Sequence, residues 1–320
     1  MAGRHSNHLK RKHFHQGQAW TSVFRHDELD IKLLVHGDGF LVLVLADQEG
    51  QEYMQQVLKE KYEYRCDGEI GKGSGKYLTI LNRIVSYEQE TGRVTYEADP
   101  RHAEMIIRQL NLQTAKSVTT QKKKSSEVLA SVGLPPVTAE QTTLYRSLVM
   151  RAQFLAQDRA DLSEAVKSLT RKMKAPNESD MKDLKRVGRY LVGRPRVANV
   201  YHPQRPTNVI KVNADSDHAG CLLTRRSPTG YTISIGTHCV KHGSNLQSTI
   251  ALSSGESEFY ALTCARTKSE IADGRLGSEM RPNRAERFVS SKRHSCKTRS
   301  RQTTSRTNPI PLGTRTRGEQ

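Results

Sequence analysis

The sequence lacks the features that would assign it to a membrane or secreted protein. It contains no apolar run approaching the roughly 18 residues of a membrane-spanning helix, and its basic N-terminus is not followed by the apolar segment of a secretion signal. Hydrophobic residues make up only 35% of the 320 positions, and aromatic residues 6%. The sequence therefore predicts neither class, and it predicts a packed core smaller than the length implies.

Cysteine is scarce and is not spaced to bind metal or to form paired disulfides. No C-x-x-C pair is present, and the number of cysteines is odd. We interpret all five as reduced, structural thiols. They are Cys66, Cys221, Cys239, Cys264 and Cys296.

Two groups of histidines stand close enough in the sequence to be tested as metal sites. One is the short segment that contains His238, Cys239 and His242. The other lies near the N-terminus and comprises His5, His8, His13 and His15. Neither group has the second anchored pair of ligands that a structural zinc site needs, so we predict no metal at either place.

Charge is abundant and mostly positive. The sequence has 51 Lys and Arg against 33 Asp and Glu, a net charge of +18, and such a balance is typical of proteins that contact phosphate backbones. Half of this charge comes from residues 281–320, which contain eleven Lys and Arg, two Glu and no helical or strand periodicity. We predict a disordered tail, which could bind RNA but more simply is solvated sequence without a function.

The first half of the chain alternates short strands and helices. Lys32–Leu45 has two apolar runs around Gly-Asp-Gly, which predicts a β-hairpin with an acidic tip. A helix is expected over about 49–61, strands at about 77–87 and 93–97, and a second helix after Asp99-Pro100. Ala103, Ile106, Ile107 and Leu110 give that second helix an apolar stripe.

The second half begins with helices and continues with strands. Periodicity predicts helices over 143–156, 162–173 and 178–192. Short β-type runs follow at 209–215, 230–235 and 238–241, and a further helix is expected over 254–265. The order of three strands and a helix is typical of the opening of a mixed sheet.

Seven segments together resemble the Pol polyprotein of copia-type LTR retrotransposons. In order, they read VHGDGF, ILNRI, YEADPRHAEMIIRQLNL, LYRSLVMRAQFLAQDRADLSEAVKSL, LKRVGRYLVGRP, ADSDHAGCLLTRRSPTGY and QSTIALSSGESEFYAL. The resemblance covers roughly residues 22–268 and rests on several motifs occurring in the family's order. It implies part of a reverse transcriptase followed by part of a ribonuclease H, whose ancestral activities are RNA-directed DNA synthesis and removal of the RNA strand.

The fold class implied by the resemblance is α+β. We expect the C-terminal part of a reverse transcriptase palm and its connection, then an incomplete ribonuclease H-like mixed α/β domain and a disordered basic tail. The basic run Lys122–Lys124 with the serines after it marks a linker that Pro135 and Pro136 close. The predicted divisions are a basic N-terminal segment at 1–21, partial reverse transcriptase at 22–121, linker at 122–140, helical connection at 141–205, partial ribonuclease H at 206–268 and tail at 269–320.

Polymerase activity in the family depends on three carboxylates that hold two Mg²⁺ ions. Two adjacent Asp residues stand at the hairpin tip and a third on an earlier palm strand. Here Asp38 matches the first of the pair, Gly39 replaces the second, and only 37 residues precede Asp38, among which we expect no matching palm strand. Asp27 and Asp30 lie nearby and are expected to face solvent. We predict that Asp38 is a remnant in a plain hairpin turn and that the chain is inactive as a polymerase.

The ribonuclease H portion retains more of the family's site. Asp215 matches the Asp of the first central strand and Glu258 the Glu of the following helix, although Asp215 could be a turn residue and Glu258 an exposed helix position beside Glu256. Asp217 should face the same side of the strand as Asp215 and serve as a structural or supporting acid. The resemblance implies Mg²⁺ as cofactor, with Asp38, Asp215 and Glu258 as its candidate ligands.

The match to the family fails after about Ser269. The later catalytic acids are missing there, and the closing strands with them, which predicts an exposed edge of the sheet. Asp273 follows Glu258 too closely to replace the missing strand Asp. We therefore expect weak or absent ribonuclease H activity.

Basic residues outside the tail could contact RNA, DNA or an RNA:DNA hybrid through phosphates. Arg225 and Arg226 could equally be turn residues, whereas Tyr190 and Tyr231 are expected in the core rather than stacked on bases. The candidates for phosphate contact are Lys122, Lys123, Lys124, Arg186, Arg189, Arg225 and Arg226.

We predict a catalytically inactive fragment of a copia-type polyprotein. Two alternatives stay open. One is a non-enzymatic protein that binds nucleic acid without sequence preference, which the net charge of +18 supports. The other is a sequence that forms no stable protein. No membrane partner is expected, and the sequence leaves the oligomeric state open.

Overall fold

The structure is a computed structural model that describes residues 2–18, 20–45, 48–71, 73, 75–121, 134–205, 207, 209–276 and 286–293. The α-helices in these residues are α1 Ala2–Arg11, α2 Gln48–Lys59, α3 Pro100–Gln109, α4 Ala139–Asp158, α5 Ser163–Thr170, α6 Glu178–Gly193 and α7 Ser254–Leu276, with a 3-10 turn at Ala160–Leu162. The strands are β1 Phe14–Gln16, β2 Val23–His26, β3 Ile31–His36, β4 Gly39–Leu45, β5 Tyr64–Ile70, β6 Tyr77–Ile80, β7 Arg83–Glu88, β8 Arg93–Glu97, β9 Ala198–Tyr201, β10 Ile210–Ser216, β11 Pro228–Ile235, β12 His238–Leu246 and β13 Glu286–Arg293. Helices and antiparallel sheets of this kind are compatible with the predicted α+β class.

The first sheet has six antiparallel strands in the order β1-β2-β3-β4-β13-β5. Alternate side chains of its strands point to one face, where α1 and α2 cover them. The predicted hairpin is confirmed as β3 and β4, and the predicted helix after it as α2. The buried cluster on this face comprises Leu9, Phe14, Phe24, Ile31, Leu33, Phe40, Val42, Val44, Met54, Val57, Leu58 and Tyr62.

The second sheet has the order β6-β7-β8-β9. Two separate strands occupy the region where the sequence predicted strand structure at 77–87, because Leu81 and Asn82 form a tight turn with φ of +50° and +64°. Such a pair of positive φ values suits the right-handed twist of a two-residue hairpin. The last strand, β9, follows α6 in the chain and pairs with β8, so that Asn199 lies opposite Tyr96.

The helices α3 to α6 enclose the largest buried cluster. The stripe predicted for α3 is confirmed, since Ala103 and Ile106 are fully buried and Leu110 nearly so. α4 and α6 each begin with a capping box, at Thr138 and Asn177, in which side chain and backbone satisfy each other's amide groups. No helix in the described part of the chain combines the length and apolar composition needed to cross a membrane.

The third sheet has the antiparallel order β10-β11-β12 and packs one face against α7. Its strands and helix confirm those predicted for 209–265. Ile210, Val212 and Ala214 of β10 pack against a cluster that includes Ala265 of α7. Tyr231 is buried as predicted, and its ring lies over Gly243, where a Cβ atom would be 2.6 Å from the hydroxyl oxygen.

The prediction of a disordered chain from residue 269 onward is wrong for two stretches. α7 continues to Leu276, and β13 inserts between β4 and β5. The helix extends because Glu, Ala and Leu favour helix whether or not they form an apolar stripe. β13 has neighbours on both edges, so hydrogen bonds of the sheet stabilise a segment whose own pattern is weak. The basic N-terminal segment also contains structure that the sequence did not predict, α1 and β1.

Arg159 is a buried charge at the end of α4, with only 2% of its surface exposed. Its guanidinium donates to both carboxylate oxygens of Asp161, at 3.2 and 2.7 Å, and to the carbonyl oxygen of Arg194 at 2.8 Å. Burial alone would raise the pKa of Asp161, but hydrogen bonds from Arg159 and Tyr190 hold it below its usual value. The pair joins the turn before α5 to the C-terminus of α6.

We expect Arg159→Met to lower the free energy of unfolding by about 2–3 kcal/mol, because it leaves a partly buried carboxylate and a carbonyl without their donor. Arg93→Met is the matched control, since Arg93 also pairs with a nearby acid, Glu88, but the two side chains are 40% and 41% exposed. That control should lose less than about 1 kcal/mol. Urea titrations at neutral pH give both values, and equal losses would contradict the role of Arg159 as a buried anchor.

The stability that the Arg159–Asp161 pair contributes to the fold depends on pH. A carboxylate whose pKa is lowered by folding stabilises the fold above its unfolded pKa, about 3.9 for Asp, and loses that contribution as the pH falls through its folded pKa. The difference between the unsubstituted chain and Arg159→Met should therefore narrow below about pH 4.

Candidate functional site

Asp38 lies at the tip of the β3–β4 hairpin and is exposed. Gly37 precedes it with φ of +61°, the value that a two-residue turn needs at its first central position and that Gly adopts without strain. His36 and Gly39 close the turn as the last paired residues. The predicted acidic tip is therefore present, with a single carboxylate in it.

The two Asp residues that precede the hairpin lie at the other end of β3 from Asp38. Asp27 and Asp30 stand in the turn between β2 and β3, about 20 Å away along the six-residue strand. Asp27 is exposed as predicted, whereas Asp30 is half-buried. Asp27 pairs with Arg25 at 2.9 Å and Asp30 lies 3.8 Å from Lys32. The connection between β1 and β2, residues 17–22, is at the same end of the sheet as Asp38 and contains no acidic residue.

Asp215 lies on the face of β10 that points away from α7. Residues of β10 alternate, so that Lys211, Asn213 and Asp215 are exposed while their neighbours are partly buried. Asp215 and Asp217 both line a cleft of about 420 Å³ between this face and the start of α5. Both acids therefore border the same cleft.

Glu258 lies on the α7 side of β10. Its carboxylate accepts a hydrogen bond from the backbone amide of Ser216 at 3.3 Å, and the Ser216 hydroxyl donates to Ser257 at 2.8 Å. Because consecutive side chains of a strand point to opposite faces, Asp215 points away from the helix that carries Glu258. Within the described residues, no three His, Cys, Asp or Glu side chains are grouped closely enough to hold a metal ion.

The second wall of the cleft belongs to α5 and the turn before it. Ser163 lies 3.1 Å from Nδ1 of His242 on β12, and the hydroxyl of Ser244 donates to Glu164. Lys167 pairs with Glu164 at 2.7 Å and donates to Ser244 at 3.0 Å. Burial lowers the pKa of His242, so its ring is neutral at pH 7. These polar contacts hold the third sheet against the helices.

His238, the other histidine of the HCVKH segment, has contacts separate from those of His242. His238 contacts the carbonyl oxygen of His202 at 2.7 Å, well away from the partner of His242.

The four cysteines among the described residues are free thiols, and Cys296 lies outside those residues. Cys221 accepts hydrogen bonds from both terminal nitrogens of Arg171 at 3.3 Å. Burial would raise the pKa of this thiol, but hydrogen bonds from Thr224 and Arg171 lower it to about 7.

The predicted basic candidates fall into three different environments. Arg186 and Arg189 on α6 donate to the backbone of Thr120 and Lys116, and so fasten the segment after α3 to the helix. Arg225 and Arg226 are exposed in the loop between β10 and β11, where Arg225 has φ of +56°. Lys122, Lys123 and Lys124 lie outside the described residues. Tyr190 is buried, as predicted.

The residues that join the second sheet to the helices were not predicted from the sequence. Asp158 accepts hydrogen bonds from Arg83 on β7 and from Tyr96 on β8, both at 2.9 Å. The hydroxyl of Tyr190 donates to Asp161 at 2.9 Å. An available signal was the dense run of opposite charges in QDRAD between two apolar helices, since charged side chains are almost never buried unless they are paired.

Comparison with known proteins finds several homologues of the chain. No family model matches it. Over 171 residues, 53% of the chain, it is 32% identical to the uncharacterized mitochondrial protein AtMg00810 of Arabidopsis thaliana, and it covers 68% of that protein. It is also 32% identical over 166 residues to the retrovirus-related Pol polyprotein from transposon RE1 of the same plant, and 33% identical over 168 residues to that from transposon RE2.

The matched segments differ greatly in how much of each relative they represent. They make up 52% of this chain but 11% of each of the two polyproteins. The matched half of the chain thus corresponds to a small part of each Pol polyprotein and to 68% of the mitochondrial protein. It belongs to the family that includes the mitochondrial protein AtMg00810, and it is homologous to a part of the Pol polyproteins of plant retrotransposons.

Proposed function

We propose that the chain derives from the reverse transcriptase and ribonuclease H region of a copia-type Pol polyprotein, and that it binds nucleic acid without catalysing a reaction on it. The observation that carries this proposal is the separation of its candidate carboxylates. Asp38 lies on a hairpin tip and Asp215 on one face of β10, whereas Glu258 lies on the helix that packs against the other face of β10.

The surroundings of these acids do not fit a pair of Mg²⁺ ions. Two-metal catalysis needs several carboxylates converging on ions about 3.5–4 Å apart. The hairpin tip supplies one, and Glu258 already accepts a backbone hydrogen bond.

The chain should not extend a primer on an RNA template in the presence of Mg²⁺ or Mn²⁺. One exposed carboxylate at Asp38, with Gly39 beside it, cannot hold both ions. Labelled nucleotide incorporation measures this, with Asp38→Asn as the matched control. Template-dependent incorporation that disappears in Asp38→Asn would contradict the proposal.

Cleavage of RNA in an RNA:DNA hybrid should likewise be equal in the unsubstituted chain and in the Asp215→Asn, Glu258→Gln double variant. Both substitutions keep side-chain size and remove charge, so that folding is little affected while any metal binding is lost. The assay follows end-labelled RNA with and without Mg²⁺. Mg²⁺-dependent cleavage seen only in the unsubstituted chain would show that an active ribonuclease H site survives.

Binding is supported by the charge and by where the exposed arginines stand. The net charge is +18, and Arg225 and Arg226 project from an exposed loop, whereas Arg186 and Arg189 donate to the protein's own backbone. We therefore assign phosphate contact to Arg225 and Arg226 ahead of the arginines on α6. Residues 294–320 add six Lys and Arg to the sequence.

The affinity for duplex RNA and DNA should fall steeply with salt and depend little on base sequence, because each phosphate contact contributes about −0.9 to the log–log slope. Arg225→Ala with Arg226→Ala should make the slope shallower by about 1–2. Deletion of residues 294–320 preserves β13 and should also reduce the slope. The matched control, Arg186→Ala with Arg189→Ala, should leave the slope nearly unchanged.

Fluorescence anisotropy at several NaCl concentrations gives these slopes. A shallow slope in the unsubstituted chain would refute phosphate binding altogether. A slope changed only by the α6 variant would place the binding surface on α6 instead of on the loop.

A further inference from the structure

One edge of the third sheet has unpaired backbone groups. Asp217 donates its amide to Pro228 at 3.1 Å, and Gly236 donates to Val209 at 3.2 Å, so odd-numbered residues of β10 bond to β11. The amides and carbonyls of Ile210, Val212, Ala214 and Ser216 consequently point to the other side. In the described parts of the chain no strand pairs with β10 on that side.

The side chains along this edge have a self-complementary order. Lys211, Asn213 and Asp215 occupy one exposed face in the sequence cation, amide, anion. Lys211 and Asp215 are about 13 Å apart along the strand, too far to form an ion pair within one chain. An antiparallel copy of the same strand, aligned on Asn213, would oppose each Lys211 to an Asp215.

We propose that two copies of the chain associate through β10 in a two-fold symmetric dimer centred on Asn213. The pairing opposes Val212 to the partner's Ala214, and both residues have outward-pointing backbone groups, so four hydrogen bonds form at the centre. Lys211 then lies opposite the partner's Asp215 at a non-hydrogen-bonded position, where side chains of an antiparallel pair are closest. The sheet becomes a continuous structure of six strands, and the symmetry makes the contact closed.

The helix beside this edge supports the same placement. Leu262 is 53% exposed and follows Glu258 by one helical turn, so it lies on the side of α7 that faces the open edge. Two-fold pairing of β10 would bring Leu262 toward the α7 of the partner and remove its side chain from water.

Sedimentation velocity of the full chain over a wide concentration range tests the proposal. We expect a monomer–dimer equilibrium that Lys211→Asp and Asp215→Lys each weaken by at least about tenfold, because each substitution opposes two pairs of like charges. A mixture of the two variants should dimerise again, since each then meets the opposite charge in the other. The double variant Lys211→Asp, Asp215→Lys should dimerise alone.

Thermal unfolding of every variant tests whether the exposed substitutions leave the fold intact, and the mixing experiment distinguishes a charge effect from a folding defect. A monomer at all concentrations would overturn the proposal. So would a dimer indifferent to both single substitutions, or one lost only when residues 294–320 are deleted. The double variant also lacks Asp215, so its dimerisation is independent of any ribonuclease H activity.

Discussion

The burial of Arg159 constrains the rest of this structure. A guanidinium at 2% exposure is stable only where its donors meet acceptors, and here Asp161 and the carbonyl oxygen of Arg194 supply them. The pair fixes the turn between α4 and α5 against the end of α6. Neighbouring residues of the same turn then reach outward, Asp158 to the second sheet and Ser163 to the third. One short charged segment thereby sets the positions of two sheets relative to the helices.

This arrangement explains why a cleft lined by Asp215 exists and why it does not resemble a metal centre. The wall opposite Asp215 comes from the start of α5, whose Glu164 is engaged with Lys167 and Ser244. Those contacts serve to hold the sheet in place. Glu258, the other acid that the resemblance singles out, is on the far side of the strand. The cleft therefore owes its shape to packing between the helices and the third sheet.

Most elements could be predicted from sequence because their signals are local. The apolar stripe of α3 and the hairpin at Asp38 follow from spacing and turn residues alone. β13 could not be predicted, since its hydrogen bonds come from β4 and β5, more than 200 residues earlier in the chain. The placement of Asp215 and Glu258 on opposite faces was equally hidden: spacing indicates which face of a strand a residue occupies, but not on which face a later helix packs.

The open edge of β10 and the position of Glu258 are two consequences of one constraint. A backbone amide that is partly buried must find an acceptor, and Ser216 has no strand beside it in the described residues to provide one. Glu258, one residue beyond the buried Ser257 on α7, is within reach and accepts that hydrogen bond. Its carboxylate thus completes the sheet edge at the end of β10, leaving the centre of the strand, around Asn213, as the part of the edge open to pairing. A strand that extended pairing to Ser216 would compete with Glu258 for this amide, so the carboxylate and a pairing strand exclude each other at this end of the edge.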